Sequence, residues 1–263
     1  MRIERTTAMF TVLGALILAA IAIPIANIFF RQFAFDLSGF LGALADREVL
    51  GAVGLSCFAA FLAVLATFAF GVPLAYLLAR KDFRGKAAVE GVIDLPMSIP
   101  HVVAGIMLLT VFGANGLIGA PAASFIKFEG ALPGIVVAML FVSAPFLINS
   151  AKEGFQSVDV RLEKVARSLG ATEWQAFSRV AFPLAFPHIL SGAIMSWARA
   201  ISEFAAVIML VGFFPMIAPG MVWVNFYSTG LYGGMRVAVV LLMVTLTAFI
   251  CLKYLRGRLF DRY

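Results

Sequence analysis

Charged residues are scarce in this chain of 263 residues: only 13% are Asp, Glu, Lys or Arg, whereas 62% are hydrophobic. A soluble domain lacks the polar surface to hide so many apolar side chains, so this composition indicates an integral membrane protein. Cysteine is also scarce. Cys57 and Cys251 both lie inside apolar runs, where we expect small buried hydrophobic residues and not a disulfide framework.

Motifs for metal binding, covalent catalysis and ATP hydrolysis are missing. Histidine occurs twice, and no His/Cys cluster is present that could hold a metal ion. A Walker A sequence is absent because Ala87 follows Gly85-Lys86 and Arg80 stands where the first glycine is needed. No nucleophile with a neighbouring base is apparent. We therefore expect a chain with no bound metal or cofactor and no ATPase site of its own.

Long apolar runs dominate what is present. A spanning helix needs about 20 apolar residues, and six runs suffice, which predicts an all-α integral membrane protein with six transmembrane helices. These runs are 8–30, 50–79, 91–113, 131–149, 184–211 and 236–255. The first run is longer than the roughly 7–15 apolar residues of a signal peptide, so we expect a retained helix. Residues 212–234, rich in aromatics, Gly and Pro, are expected to form an irregular outer interfacial segment.

Basic residues lie mostly on one side of the predicted membrane. They precede the first run, follow the second and fourth, and close the chain: Arg2, Arg5; Arg80, Lys81, Arg84, Lys86; Lys152, Arg161, Lys164, Arg167, Arg179; Lys253, Arg256, Arg258, Arg262. Because Lys and Arg are enriched in cytoplasmic loops, this asymmetry places both termini in the cytoplasm. It also accounts for the net charge of +6 without nucleic acid as a partner.

One polar segment, residues 150–183, interrupts the apolar runs on the cytoplasmic side. Apolar residues spaced by three and four predict one helix face, formed by Phe155, Val158, Leu162, Val165 and Leu169. Ser157 or Asp159 can cap this helix, and Gly170 can end it in a left-handed conformation. Thr172 and Gln175 fit a capping box for a second short helix, which Pro183 is expected to stop.

The second helix carries two bulky aromatic residues, Trp174 and Phe177, which are expected to protrude. Two interpretations remain open for the segment. It can lie on lipid headgroups, with its basic residues near phosphate. Alternatively, the glycine corner and the aromatic pair favour docking into a groove of a soluble protein.

In this segment Gly170 is followed thirteen residues later by Pro183. With the basic amphipathic helix before it, this pattern resembles the EAA loop of ABC-importer permeases. The similarity extends over about residues 50–220. The strings EGVIDLPMSIPHVVAGIMLL, AKEGFQSVDVRLEKVARSLGA and SGAIMSWARAISEFAAV are similar to molybdate/tungstate permeases (ModB/WtpB type). One departure concerns the Glu-Ala-Ala positions, which fall on Lys164, Val165 and Ala166. Glu163 comes one position early.

The resemblance implies one transmembrane permease domain over residues 1–263, working as a homodimer in the cell membrane. It implies two ABC ATPase subunits that bind ATP and Mg and contact the 150–183 loop. The residues implied in coupling to the ATPase are Lys164, Val165, Ala166, Gly170, Ala171, Trp174, Phe177 and Pro183. An extracytoplasmic binding protein would deliver the oxyanion. Sulfate permeases are related, so sulfate or another oxyanion stays open as the substrate.

Four polar residues inside predicted spans are candidates for the pathway or gate: Asp94, His101, Arg199 and Glu203. Arg199 and Glu203 are four residues apart, so they can form an ion pair that holds the helix to its neighbours. Arg199 can instead assist an oxyanion along the pathway. Asp94 and His101 either shape the pore or satisfy backbone groups that Pro96 and Pro100 free. A secondary transporter is the alternative class, for which Glu203 is the one deep carboxylate.

Overall fold

The computed structural model describes the backbone of residues 2–260 and the side chains of residues 6–254, 257 and 258. The side chains of Arg2, Arg5, Arg256 and Arg262, which contribute to the prediction of cytoplasmic termini, lie outside this described part. Over residues 2–260 the chain forms helices α1 (Arg2–Phe35), α2 (Leu37–Ala45), α3 (Arg47–Arg80), α4 (Lys86–Ser98), α5 (His101–Phe112), α6 (Gly119–Ala122), α7 (Leu132–Ser157), α8 (Val160–Ser168), α9 (Glu173–Ala176), α10 (Phe182–Ile201), α11 (Ala205–Val211) and α12 (Ala218–Phe260), with a π-helical turn (Phe177–Ala181) between α9 and α10.

Among the described residues, five continuous helical stretches are long and apolar enough to cross a membrane: Thr6–Phe35, Arg47–Arg80, Leu132–Ser157, Glu173–Ile201 and Ala218–Tyr254. Helices α4 and α5 are bent by 117° relative to each other. They give a sixth span if the pair is counted as one broken span. The all-α, multi-pass architecture is therefore confirmed. The third predicted span, 91–113, is interrupted near its start, as its prolines predict.

Proline position explains the bend between α4 and α5. Ile99 and Pro100 have extended backbone, with ψ of 131° and 132°. Proline disfavours the helical region for the residue before it, so the helix ends ahead of Pro100. Pro96 remains inside α4 and is buried. Of the two prolines expected to interrupt this span, only Pro100 breaks it.

The fifth predicted span, 184–211, is also broken. Helix α10 ends at Ile201 and α11 begins at Ala205, with Ser202, Glu203 and Phe204 between them. The carboxylate of Glu203 accepts a hydrogen bond of 2.9 Å from the backbone N–H of Ala206. A side chain therefore takes the place of the backbone acceptor that a continuous helix would provide, which stabilises the break.

The segment predicted to be irregular, 212–234, is helical from Ala218 onwards and forms the first part of α12. Pro219 falls in the first turn, where the missing N–H of proline has no intrahelical partner to lose. Gly230 departs from helical backbone, with φ of 79° and ψ of −166°, and kinks α12. Glycine is allowed there because a left-handed φ excludes most side chains. The many Gly and Pro residues therefore mark a kink and a helix start, not a loop.

Small residues allow the central helices to approach closely. Ala59 and Ala60 of α3, Ala138 of α7, and Ala200 and Ala206 beside the break are all buried in one cluster. In a membrane, close packing of small side chains is the main way that helices associate. A second cluster around Leu147, Phe155 and Ile189 joins α3, α7 and α10 nearer the polar segment. Both clusters include α3 and α7, which therefore connect the polar segment to the broken helices.

Candidate docking surface and charged cluster

The polar segment folds largely as its local signals predict. Asp159 caps α8, since its carboxylate accepts a 2.8 Å hydrogen bond from the N–H of Arg161. Gly170 follows α8 with a left-handed φ of +93°. The Thr172–Gln175 capping box that opens α9 is formed in both directions. These three predictions are confirmed.

The predicted apolar face is split between two helices and is mostly uncovered. Phe155 and Val158 are buried at the end of α7, whereas Leu162, Val165 and Leu169 are 48%, 57% and 84% exposed. The prediction of one continuous face is wrong because the helix is interrupted at Val158 and Asp159, where the backbone is extended. We define Leu162, Val165, Leu169 and Trp174, which is 71% exposed, as the docking surface.

The other predicted coupling residues differ in exposure. Lys164 and Gly170 are exposed, and Ala166 and Ala171 are half-buried. Phe177 does not protrude as expected. Its ring lies 4.8 Å from the ring of Tyr76 and 6.0 Å from that of Phe155, between centroids, and contributes to the core. Pro183 does not stop a helix either, since it occupies the first turn of α10, where proline is tolerated.

Glu163 is a candidate functional residue of this segment that the sequence did not single out. It is the one buried residue among those of α8, all of which are described. Its Oε1 lies 2.7 Å from Nε of Arg80, and its Oε2 accepts a 2.6 Å hydrogen bond from the hydroxyl of Tyr76. The available signal was its position opposite the apolar residues of α8. A lone acidic side chain between basic neighbours is easily taken for a solvated charge.

Three of the four predicted pathway residues meet where the two broken helices cross. His101 opens α5, Arg199 lies in the last turn of α10, and Glu203 follows it in the break. Oε2 of Glu203 lies 2.6 Å from Nδ1 of His101 and 2.8 Å from Nη2 of Arg199. The ion pair expected from the four-residue spacing is thus formed, and His101 joins it. We call these three residues the charged cluster.

The guanidinium of Arg199 closes the charged cluster. Its Nη2 lies 2.7 Å from Nδ1 and 2.8 Å from Nε2 of His101, and 2.8 Å from Oε2 of Glu203. Each of the three residues therefore contacts the other two. The charged cluster links the start of α5 to both sides of the α10/α11 break.

Asp94 is not part of the charged cluster. Its Oδ1 accepts a 2.7 Å hydrogen bond from Nδ2 of Asn149 and so connects α4 to α7. The interpretation that Asp94 and His101 satisfy backbone groups beside the prolines is wrong, because no side chain caps the end of α4 or the start of α5. Both side chains bind other helices instead.

Comparison with known proteins identifies the family of this fold. Residues 71–260 match the family model described as the binding-protein-dependent transport system inner membrane component. The chain belongs to this family. It is 45% identical over 258 residues to the molybdate/tungstate transport system permease protein WtpB of Thermococcus kodakarensis, covering 98% of this chain and 99% of that protein. The resemblance to molybdate/tungstate permeases seen in the sequence is thereby confirmed.

Two further relatives place this similarity in context. The sulfate transport system permease protein CysW of Synechococcus elongatus is 38% identical over 193 residues, which are 73% of this chain and 68% of that protein. Among solved structures, a bacterial ABC transporter involved in the import of the acidic polysaccharide alginate superposes with a TM-score of 0.74. It has 17% identity and covers 99% of this chain and 100% of that one. The ABC-importer permease fold is confirmed, and the chain is a permease subunit.

Proposed function

We propose that this chain is the transmembrane permease of an ATP-driven importer for molybdate or tungstate, which it moves inward by alternating access. The observation that carries the proposal is the near full-length similarity to a molybdate/tungstate permease. Similarity to the sulfate permease is lower and covers less of both chains, which favours molybdate or tungstate over sulfate. The permease acts as a homodimer in the cell membrane, with both termini in the cytoplasm.

The partners follow from the permease role and from the surface of the polar segment. Two ABC ATPase subunits dock on residues 150–183, where the docking surface exposes four large apolar side chains at the cytoplasmic side. The glycine corner at Gly170 and the exposed Trp174 favour a protein groove over headgroups. ATP and Mg bind to the ATPase, and this chain contributes no ATPase site. An extracytoplasmic binding protein delivers the anion to the opposite side.

We assign the charged cluster to the translocation pathway. The side chain of Arg199 is 22% exposed, whereas that of Glu203 is 1% exposed. The guanidinium therefore retains access to a water-filled path, while its counter-ion is covered. An arginine can offer paired N–H groups to a tetrahedral oxyanion. In this state Glu203 neutralises Arg199, and an arriving dianion competes with that carboxylate.

A transport assay in liposomes tests the proposal. The permease is reconstituted with its ATPase, and the loaded binding protein is added outside. Uptake of labelled molybdate should require ATP and should be reduced by unlabelled tungstate more strongly than by equal sulfate. Preferred uptake of sulfate would assign the sulfate function. Uptake that follows a proton or sodium gradient without the ATPase would assign a secondary transporter.

A further inference from the structure

The cytoplasmic end of α3 is joined to α8 by a buried charged contact between residues more than eighty positions apart. Nε of Arg80 lies 2.7 Å from Oε1 of Glu163, and the two side chains are 7% and 9% exposed. Nη2 of the same arginine donates a 3.0 Å hydrogen bond to the carbonyl of Val158. The guanidinium of Arg80, the last residue of α3, therefore binds both the end of α7 and Glu163, the only buried residue among those described in α8.

Tyr76 completes this contact one turn earlier on α3. Its hydroxyl donates to Oε2 of Glu163, so both carboxylate oxygens are bound. Its ring lies 5.2 Å from that of Phe155, between centroids, and also faces Phe177. We call Tyr76, Arg80 and Glu163 the α3–α8 tie. The tie is polar at its centre, and its two charged side chains are almost fully covered.

Apart from the tie, a second ion pair joins α8 to α9, since Nη1 of Arg167 lies 3.4 Å from Oε1 of Glu173 and both side chains are exposed. Extended residues Val158 and Asp159 precede α8, and the left-handed Gly170 follows it. Its large apolar side chains point outward on the docking surface. A helix with a bend at each end can rotate unless a side chain fixes it. Because Glu163 is covered and charged, separating it from Arg80 would leave a buried charge without a partner, which is strongly unfavourable.

We infer that the α3–α8 tie makes α8 and the cytoplasmic end of α3 move as one body, so that a displacement of the docking surface is delivered directly to α3. Tyr76, Arg80 and Glu163 are positioning residues in this inference, which rests on the proposed docking of an ATPase. Helix α3 runs without interruption to Arg47 and packs at its far end on α2 and α12 through Val49 and Val53. A displacement of α8 would thus be transmitted by α3 alone to the helices that pack on its far end.

Distance measurements on the assembled complex test this directly. Spin labels are attached to cysteines at Ser168 of α8 and at Lys81 after α3, both exposed, after Cys57 and Cys251 are replaced by alanine. In the wild-type background the distance should be the same in the resting and the ATP-trapped complex. In the Tyr76→Phe/Glu163→Gln variant it should shift or broaden when ATP is trapped. A wild-type distance that changes between the two states would overturn the inference.

Coupling of ATP hydrolysis to uptake gives a second readout. Tyr76→Phe keeps the ion pair, Glu163→Gln removes its charge at nearly equal volume, and the double variant removes both contacts. The ratio of ATP hydrolysed to molybdate imported should rise several-fold in this order, while the ATPase remains bound. Glu90→Gln is the matched control, since Glu90 pairs with Lys152 at 3.1 Å between α4 and α7 and leaves α8 untouched.

The outcomes separate this inference from the proposed function. A wild-type complex without ATP-dependent uptake would refute the proposed function, and the inference would fall with it. Normal wild-type uptake with an unchanged ratio in all three tie variants would refute the inference alone. Loss of the bound ATPase in Tyr76→Phe, the mildest variant, would also refute it, because the tie would then serve docking and not transmission.

Discussion

Arg199 and Glu203 are 2.8 Å apart at the end of α10, yet their side chains are 22% and 1% exposed. Glu203 is covered by its neighbours and is bound by Arg199, by His101 and by the N–H of Ala206. Removing either partner therefore has a different effect, because the charge left behind is covered in one case and partly exposed in the other.

Arg199→Gln should destabilise the protein more than Glu203→Gln. The first change leaves a buried carboxylate with one side-chain partner. Breaking a buried ion pair in this way typically lowers the free energy of unfolding by about 3–5 kcal/mol. The second change leaves a cation that is partly exposed. The double variant should lose less than the two single losses together, because it leaves no stranded charge. Thermal unfolding in detergent measures all three. Strictly additive losses would show that the two residues are not coupled.

Gly170→Val should weaken assembly with the ATPase. No atom lies within 4 Å of a Cβ placed at Gly170, so any effect comes from the left-handed φ of +93° and not from a clash. Forcing a side chain into that region costs about 1–2 kcal/mol and favours another path for the chain between α8 and α9. The measurement is co-purification of the ATPase with the permease.

Gly85→Val is the matched control for Gly170→Val. Gly85 has a φ of +89°, its Cβ position is equally open, and it lies before α4, outside the docking surface. It should incur the same backbone strain and retain the ATPase. If both variants lost the ATPase to the same extent, the effect would be general destabilisation, and the role assigned to the Gly170 corner would be wrong.

Trp174→Ala should mainly affect ATPase binding, whereas Phe177→Ala should mainly affect thermal stability. Trp174 is 71% exposed, so its removal should reduce ATPase binding with little change in thermal stability. Phe177 contacts the rings of Tyr76, Phe155 and Phe182. Removing a packed phenylalanine typically costs about 3–5 kcal/mol, an upper bound for this half-buried ring. Comparing unfolding midpoints with ATPase binding separates the two. A large stability loss in Trp174→Ala would contradict its assignment to the docking surface.

Local signals in the sequence were sufficient for the caps and the glycine corner of the polar segment, because each depends on residues a few positions apart. The Asp159 cap, the Gly170 corner and the Thr172–Gln175 capping box are of this kind. The six apolar runs likewise identified the membrane helices, since spanning length follows from bilayer thickness. The spacing of Arg199 and Glu203 was enough to predict their ion pair.

Contacts between distant positions could not be predicted in the same way. Glu163 and Arg80 are 83 residues apart, and His101 and Glu203 are 102 residues apart. Breaks were misplaced for a related reason. Proline is expected to break a helix, yet Pro96 is buried inside α4 and Pro183 occupies the first turn of α10, and neither ends a helix there. The break at Glu203 depends on a side-chain acceptor whose partners come from another part of the chain.

The Asp36–Arg236 pair should make stability depend on pH in the acid range. Asp36 lies between α1 and α2, and its Oδ2 is 2.6 Å from Nε of Arg236. The hydrogen bond from Arg236 lowers the pKa of Asp36 below its ordinary value. The pair therefore contributes its full stabilisation above the ordinary pKa of about 3.9, and this is lost as the pH falls through the lowered pKa.

Asp36→Asn should consequently lower the unfolding midpoint at neutral pH, with a difference from wild type that shrinks below about pH 4. Thermal unfolding in detergent at several pH values provides the measurement. Asp82→Asn is the control, since Asp82 is 99% exposed and its pairing with Lys86 spans one helical turn. Surface pairs of this kind contribute little. A pH-independent difference for Asp36→Asn would show that the pair does not form in solution.

The outer gate should lie at the bend before Pro100 and the irregular segment before α12. Both join helices at angles that can change, as interrupted helices do in switching proteins. A cavity of about 510 Å³ lies between the α10/α11 break and α12. It is lined by residues of the α10/α11 break and of both arms of the kinked α12, including Ser202, Phe204, Trp223, Phe226, Leu231 and Met235.

Cysteines at Ser98 and Phe214, in a background without Cys57 and Cys251, should react differently with an impermeant thiol reagent in the resting and the ATP-trapped complex. Ser98 ends α4, and Phe214, 76% exposed, precedes α12. A cysteine at Phe125, 93% exposed between α6 and α7, is the control and should react equally in both states, since it touches neither break. The competing explanation is that the aromatic residues before and within α12 only face lipid. In that case labelling at Ser98 and Phe214 would be identical in the two states, and the gate would have to be sought elsewhere.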